Sequence, residues 1–179
     1  MLLLEQKIDT ALIVGGGKIA ARKLIKLLEG SANVTLIAPE ISPEIRNFSK
    51  EKSLSICQRK FEDSDIGNQD LVVAATNSKT LNVHISELCR SRKINVNVVD
   101  NHDLSTVYFP AVFKKGKLSV GVSTFGAAPG FAKAMKEKLA DFVSENDIAL
   151  LDRYAASAII DRSLTNRKST HIKLIAIAL

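Results

Sequence analysis

Three consecutive glycines, Gly15 to Gly17, stand between a short apolar run and a helix-period segment in "ALIVGGGKIAARKLIKLL". No other feature limits the fold of this chain as much. The spacing Gly15-Gly16-Gly17-Lys18-Ile19-Ala20 fits G-x-G-x-x-G/A. In that pattern Gly15 permits a tight turn off a strand, and Gly17 puts no Cβ in the way of a pyrophosphate. Ala20 is small enough for the following helix to pack on the strand. The helix start then offers unpaired N–H groups and a partial positive charge to phosphates. The same letters also describe a glycine-rich turn that binds nothing. The pattern points to a dinucleotide only inside a strand–turn–helix within a run of βα units.

The rest of the chain supplies that run. Apolar segments predict strands at Thr10–Val14, Asn33–Ala38, Leu54–Gln58, Leu71–Ala75 and Asn95–Val99. Between them the pattern predicts helices at Ile19–Leu28, at Pro43–Lys52 with Ser42 as N-cap, and at Lys79–Arg92 with Leu81, Ile85 and Leu88 on one face. The stretch Phe61–Asp70 is polar and reads as a loop. The strands are continuous and apolar rather than alternating, as in a parallel sheet covered on both faces. The fold class is therefore α/β, a Rossmann-like doubly wound parallel sheet.

After Asp100 the pattern changes. "VYFPAVFKKGKLSVGVST" predicts two strands around a Lys115–Gly116 turn. A helix follows at Phe131–Val143, with Phe131, Met135, Leu139 and Phe142 on one stripe, and another at about Ile148–Leu164. The expected division is a nucleotide-binding domain over 1–105, a small α+β dimerisation domain over 106–145 and a short helical piece over 146–179. The middle part is too thin to close a core alone, and a symmetric homodimer is the commonest closed solution.

Composition narrows the function. No apolar run reaches the roughly 18–20 residues that cross a bilayer. "MLLLEQK" is too short, and acidic too early, for a signal peptide, and "HIKLIAIAL" is too short to span. Cys57 and Cys89 have no metal-type spacing and read as two reduced thiols. His84 and His171 have no partner spacing either, so no metal site is expected. The expectation is a cytoplasmic protein without a membrane partner. The net charge is +6, but the basic residues are scattered without aromatic interleaving. A basic surface can serve nucleic acid, a membrane or an acidic small molecule, and the scatter argues against nucleic acid.

The strand ends name the candidate site. The acid that would hold an adenosine ribose at the end of the second strand is absent: Ala38 and Pro39 stand there, and Glu40 comes two residues late. Glu40 could reach from the loop, the backbone at Pro39–Glu40 could hold the ribose, or Glu40 is a solvated charge. No arginine follows to take a 2′-phosphate, so the reading is NAD rather than NADP. Ala75 and Thr76 close the fourth strand with small side chains, and Val98 sits at the end of the fifth. Asp100 emerges at the same edge, where a carboxylate can exchange a proton beside a hydride transfer. The alternative is a strand-end aspartate capping a turn. His102 is the rival acid–base group, or an ordinary loop histidine.

Taken together, "LIVGGGKIAARK", "LVVAATN" and "NVNVVDNHDLSTVYFPAVFKKGKLSVGVST" resemble the precorrin-2 dehydrogenase family, the NAD-dependent module of siroheme synthesis. The resemblance runs from about Leu3 to Val143. Its most specific element is Asn97, Val99 and Asp100, followed by Phe109-Pro110-Ala111. It implies oxidation of precorrin-2 to sirohydrochlorin with NAD as acceptor, and in some members insertion of ferrous iron. It places the essential aspartate on Asp100 and nucleotide contacts on Gly15, Gly16, Gly17, Lys18, Ile19, Pro39 and Glu40. The basic charge would then meet a polycarboxylate substrate. Three departures set this chain apart: Ala128 where relatives have serine before Pro129, His102 where many have proline, and a short C-terminal part. They bear on iron insertion more than on dehydrogenation. A reading from another class is an NAD-sensing regulatory module without turnover.

Overall fold

The structure is a computed structural model and describes residues 7–165, with side chains through residue 157. The opening hexapeptide, His171 and the apolar C-terminal stretch, for which the sequence raises expectations, lie outside the described residues. The chain divides between Tyr108 and Phe109 into two compact units.

The first unit carries β1 (Thr10–Val14), α1 (Lys18–Glu29), β2 (Asn33–Ile37), α2 (Pro43–Arg46), β3 (Leu54–Cys57), β4 (Leu71–Ala74), α3 (Lys79–Ser91) and β5 (Asn95–Val98). A 3₁₀ turn, Asp63–Asp65, interrupts the polar stretch after β3. The five strands are all parallel, in the order β3-β2-β1-β4-β5. The order reverses between β1 and β4, and that switch point is where a doubly wound sheet binds its ligand.

Both sheet faces are apolar because both are covered. Leu12, Val14, Val72, Ala74, Val96 and Val98 share one core with Ile85 and Cys89 of α3. Burial pushes the Cys89 thiol up to about 11, so it acts as an inert filler. α1 packs on β1 and β2 and buries Ala20, Ala21, Leu24 and Leu27. Leu24 is fully enclosed. Leu24→Ala is therefore expected to cost about 2–5 kcal/mol, read from the denaturant midpoint at unchanged slope.

Local signals set the helix starts. The Ser78 hydroxyl accepts from Leu81 N at 3.3 Å and opens α3. The Ser42 hydroxyl accepts from Ile45 N at 3.4 Å, with Pro43 in the first turn of α2. The sequence predicts α2 as far as Lys52, yet it stops at Arg46. Ile45 is the one buried residue of α2, and it gives the segment no apolar stripe to hold further turns. The chain continues in tighter bonds, from Phe48 N to Ile45 O and from Ser49 N to Arg46 O.

Among the described residues β5 has no strand on its outer side. The segment after it folds back along that edge and supplies the missing partners. Thr106 N and Val107 N donate to Val96 O, while Val96 N and Val98 N donate to the hydroxyls of Thr106 and Ser105. The Asn97 amide donates to Val107 O at 3.0 Å. An edge covered in this way is closed to another strand.

The second unit holds a hairpin, β6 (Ala111–Lys115) and β7 (Leu118–Val122), then α4 (Pro129–Phe142) and α5 (Glu145–Thr165). Gly116 takes φ +54° in the two-residue turn. Ser144 starts α5 by exchanging bonds with Asp147: its N–H donates to Oδ2 at 2.8 Å and its Oγ accepts from Asp147 N at 3.2 Å. Lys115 ties the junction, donating to Val143 O at 2.7 Å and lying 3.0 Å from Glu145. Among the described residues the stripe expected on α4 is covered only at its middle, where Met135 and Leu139 are half-buried. Within α4 only Ala132 is buried, while Phe131 is 61% and Phe142 82% exposed.

Candidate functional site

The glycine loop is gripped from both sides. Gly15 takes φ +125°, and a Cβ there would lie 2.2 Å from the carbonyl oxygen of Ala75. A Cβ on Gly16 would lie 1.9 Å from the carbonyl oxygen of Glu40. Gly15 N donates to Ile37 O at 2.9 Å, and Ser42 N donates to Gly16 O at 2.7 Å. The backbones following β2 and β4 thus close directly on the loop, and side chains at 15 or 16 would hold them apart. Gly17 differs, because a Cβ there meets nothing within 4 Å. It caps α1 without a side-chain bond, and no acidic residue lies in the first turn. The helix start is thus left to an anion.

A cavity of 840 Å³ opens beside this loop at the carboxyl ends of the strands. The size suits a cofactor-class ligand. Gly15, Gly16, Gly17, Pro39, Glu40, Ala75 and Thr76 line it, as the strand ends lead one to expect. Lys18 and Ile19 do not; they continue from the loop into α1. Val98 does not either: it is buried in the core with Ile85 and Cys89 of α3. Lys60 and Phe61 also line the cavity, although the sequence marks Phe61 only as the start of a polar loop and Lys60 not at all. Arg59 braces that loop with a bidentate pair to Asp65, 2.8 and 2.5 Å. The Arg59 guanidinium, helped by the Glu62 N–H, holds the Asp65 carboxyl below its usual range.

Asp100 lies two residues beyond β5 and is exposed. It is not in the cavity wall, but Asn82 connects it to that wall. Asn82 Nδ2 donates to Asp100 Oδ1 at 3.2 Å and to Thr76 O at 3.1 Å. Asn82 Oδ1 accepts from Thr76 N at 3.2 Å and Thr76 Oγ1 at 2.7 Å. Sequence reasoning misses Asn82 because it weights Leu81, Ile85 and Leu88. The buried face of α3 is Asn82, Ile85, Ser86 and Cys89, with Leu81 and Leu88 at its margins. An asparagine and a serine at i and i+4 beside an apolar position are the available signal.

His102 packs against an aromatic ring. Its ring stacks on Tyr108 with centroids 4.0 Å apart and planes 13° from parallel. The Tyr108 hydroxyl lies 3.1 Å from His102 O. Among the described residues no group of three His, Cys, Asp or Glu side chains could hold a metal ion. No helix among them is long and apolar enough to cross a membrane.

A doubly wound sheet with a glycine loop and an open cleft at its switch point defines a dinucleotide-binding domain of the Rossmann class. The family model described as "Putative NAD(P)-binding" matches residues 2–111, and the chain belongs to that family. It is 35% identical over 142 residues to the siroheme synthase of Thioalkalivibrio sulfidiphilus, covering 79% of this chain and 29% of that protein. It is 36% identical over 138 residues to the siroheme synthase of Vesicomyosocius okutanii, covering 77% and 30%. The chain thus spans less than a third of the length of these curated relatives. Among solved structures it is similar to SirC, precorrin-2 dehydrogenase, with a TM-score of 0.65 and 28% identity, covering 96% of this chain and 83% of that one.

Proposed function

We propose that this chain oxidises precorrin-2 to sirohydrochlorin with NAD as hydride acceptor. The observation that carries the proposal is the continuous hydrogen-bonded path from the nucleotide cleft, at Thr76, through Asn82 to the carboxylate of Asp100. The similarity to siroheme synthases and to SirC supports the choice of substrate.

The residues fit the cofactor. Gly17 and the uncapped start of α1, with Lys18 and Ile19 in its first turn, receive the pyrophosphate. The Pro39–Glu40 segment holds the adenosine ribose, and the Glu40 carboxylate would repel a 2′-phosphate, in keeping with NAD. Ala75 and Thr76 leave room at the sheet edge. NAD bound here supplies the acceptor for the hydride. Asp100 takes the proton that the substrate carbon or nitrogen gives up, and Asn82 keeps its carboxylate in place.

The protein works in the cytoplasm as a symmetric homodimer, and the second unit forms the dimer contact. The exposure of Phe131 and Phe142 on α4 supports that assignment, because both rings stand largely open among the described residues. Light scattering at micromolar concentration is expected to give twice the monomer mass; a monomer overturns the dimer.

The central test mixes the protein with NAD and freshly made precorrin-2, following the sirohydrochlorin chromophore and NADH together. Both are expected to rise in step. NAD binding without either product would overturn the enzyme reading in favour of a regulatory module.

A further inference from the structure

We propose that Asn82 is the positioning residue of this reaction: it fixes the Asp100 carboxylate relative to the wall of the nucleotide cleft. The proposal rests on the reading of Asp100 as the proton acceptor.

Asn82 is 1% exposed, so its amide depends on protein partners alone. All of its capacity is used. The two Nδ2 hydrogens go to Thr76 O and Asp100 Oδ1, and the two Oδ1 lone pairs take Thr76 N and Thr76 Oγ1. A flipped amide would set NH₂ against the Thr76 N–H, and its oxygen against a carbonyl and a carboxylate. The partners therefore fix which way the amide points.

Three of the four bonds close around Thr76, which lines the cleft. The fourth reaches across to the segment after β5. One side chain thus references both the cofactor wall and the acid–base group to helix α3. Asp100 is otherwise an exposed strand-end residue whose carboxylate could rotate freely. A neutral amide orients the carboxylate without cancelling its charge. It engages only Oδ1 and leaves Oδ2 for the proton. Core packing alone would favour leucine at such a site. Ser86, one turn on, is equally buried but donates only to Leu104 O at 2.6 Å, so it serves as an internal control.

Asn82→Asp is nearly isosteric. It keeps the oxygen that accepts from Thr76 N and Thr76 Oγ1, and replaces the donor to Asp100 and to Thr76 O with a second oxygen. The full chain is assayed with precorrin-2 and NAD, with NAD affinity measured separately by calorimetry. The kcat is expected to fall roughly 10²-fold, the scale of a misplaced reacting group. The KM for precorrin-2 and the NAD affinity change far less, and Ser86→Ala keeps the parent kcat. In an Asp100→Ala background Asn82→Asp has no further effect, because the group it positions is gone. Asn82→Ser is too short to reach either Asp100 or Thr76; its kcat is expected to fall at least as far, and it covers the case in which Asn82→Asp does not fold. A parent-like kcat in either folded variant, or a full additional loss on top of Asp100→Ala, overturns the proposal. A parent-like rate in Asp100→Ala alone overturns the reading of Asp100 instead, and the single variant reveals it.

Discussion

Asp100→Ala is expected to fold, to bind NAD as the parent does and, on the proposed reading, to lose precorrin-2 oxidation by roughly 10²–10⁴-fold, the range of a positioned proton-transfer group. The structure separates the folding part of this expectation from the chemical part. Asp100 is exposed and contributes nothing to the core, so truncation leaves no cavity. What it removes is the acceptor for one Asn82 hydrogen, at a cost of about 1–3 kcal/mol at most. The glycine loop and the cleft wall do not include Asp100, so NAD affinity is expected to hold. On the proposed reading, only the oxidation needs a base beside the leaving hydride. His102 is two residues on, but its ring is stacked on Tyr108. His102→Ala is accordingly expected to have a much smaller effect. Steady-state rates on the folded variants decide the matter. An Asp100→Ala enzyme at the parent rate would make the aspartate a turn cap.

The parts of the fold that are legible in the sequence are those that a single physical requirement fixes. A strand buried on both faces must be continuously apolar, and β1 and β4 announce themselves that way. The glycine loop is legible because an otherwise costly residue occurs three times in a row. The extent of α2 is not, because its end depends on how little apolar surface follows Ile45 rather than on a breaker residue. Val98 looks like a cofactor contact from its place at a strand end. Alternation along β5 instead turns it with Val96 into the core beside α3, and the strand-end position alone says nothing of that facing. Asn82 is hidden for a related reason. A polar residue on a helix looks like surface until the facing turn, here Thr76, is known to be in reach. Lys60 and Phe61 enter the cleft wall only through the fold of the loop that Arg59 and Asp65 brace.

Gly17→Val is expected to leave the fold intact and to abolish measurable NAD binding. The three glycines carry different burdens, and that difference makes the result diagnostic. At Gly15 and Gly16 a Cβ would overlap the carbonyl oxygens of Ala75 and Glu40, and Gly15 also holds a φ that side chains rarely adopt. Substitution there disturbs how the β2 and β4 ends close on the loop, so lost binding would say little about contact with the cofactor. At Gly17 a Cβ meets no protein atom within 4 Å, and the φ of −86° is ordinary for any residue. The added isopropyl group therefore enters only the space at the helix start where the pyrophosphate must approach the backbone. Thermal unfolding of Gly17→Val is expected to match the parent within the usual scatter of a surface change. Calorimetric titration is expected to show no NAD binding at concentrations that saturate the parent. Retained affinity in the folded variant would move the phosphate site away from this loop.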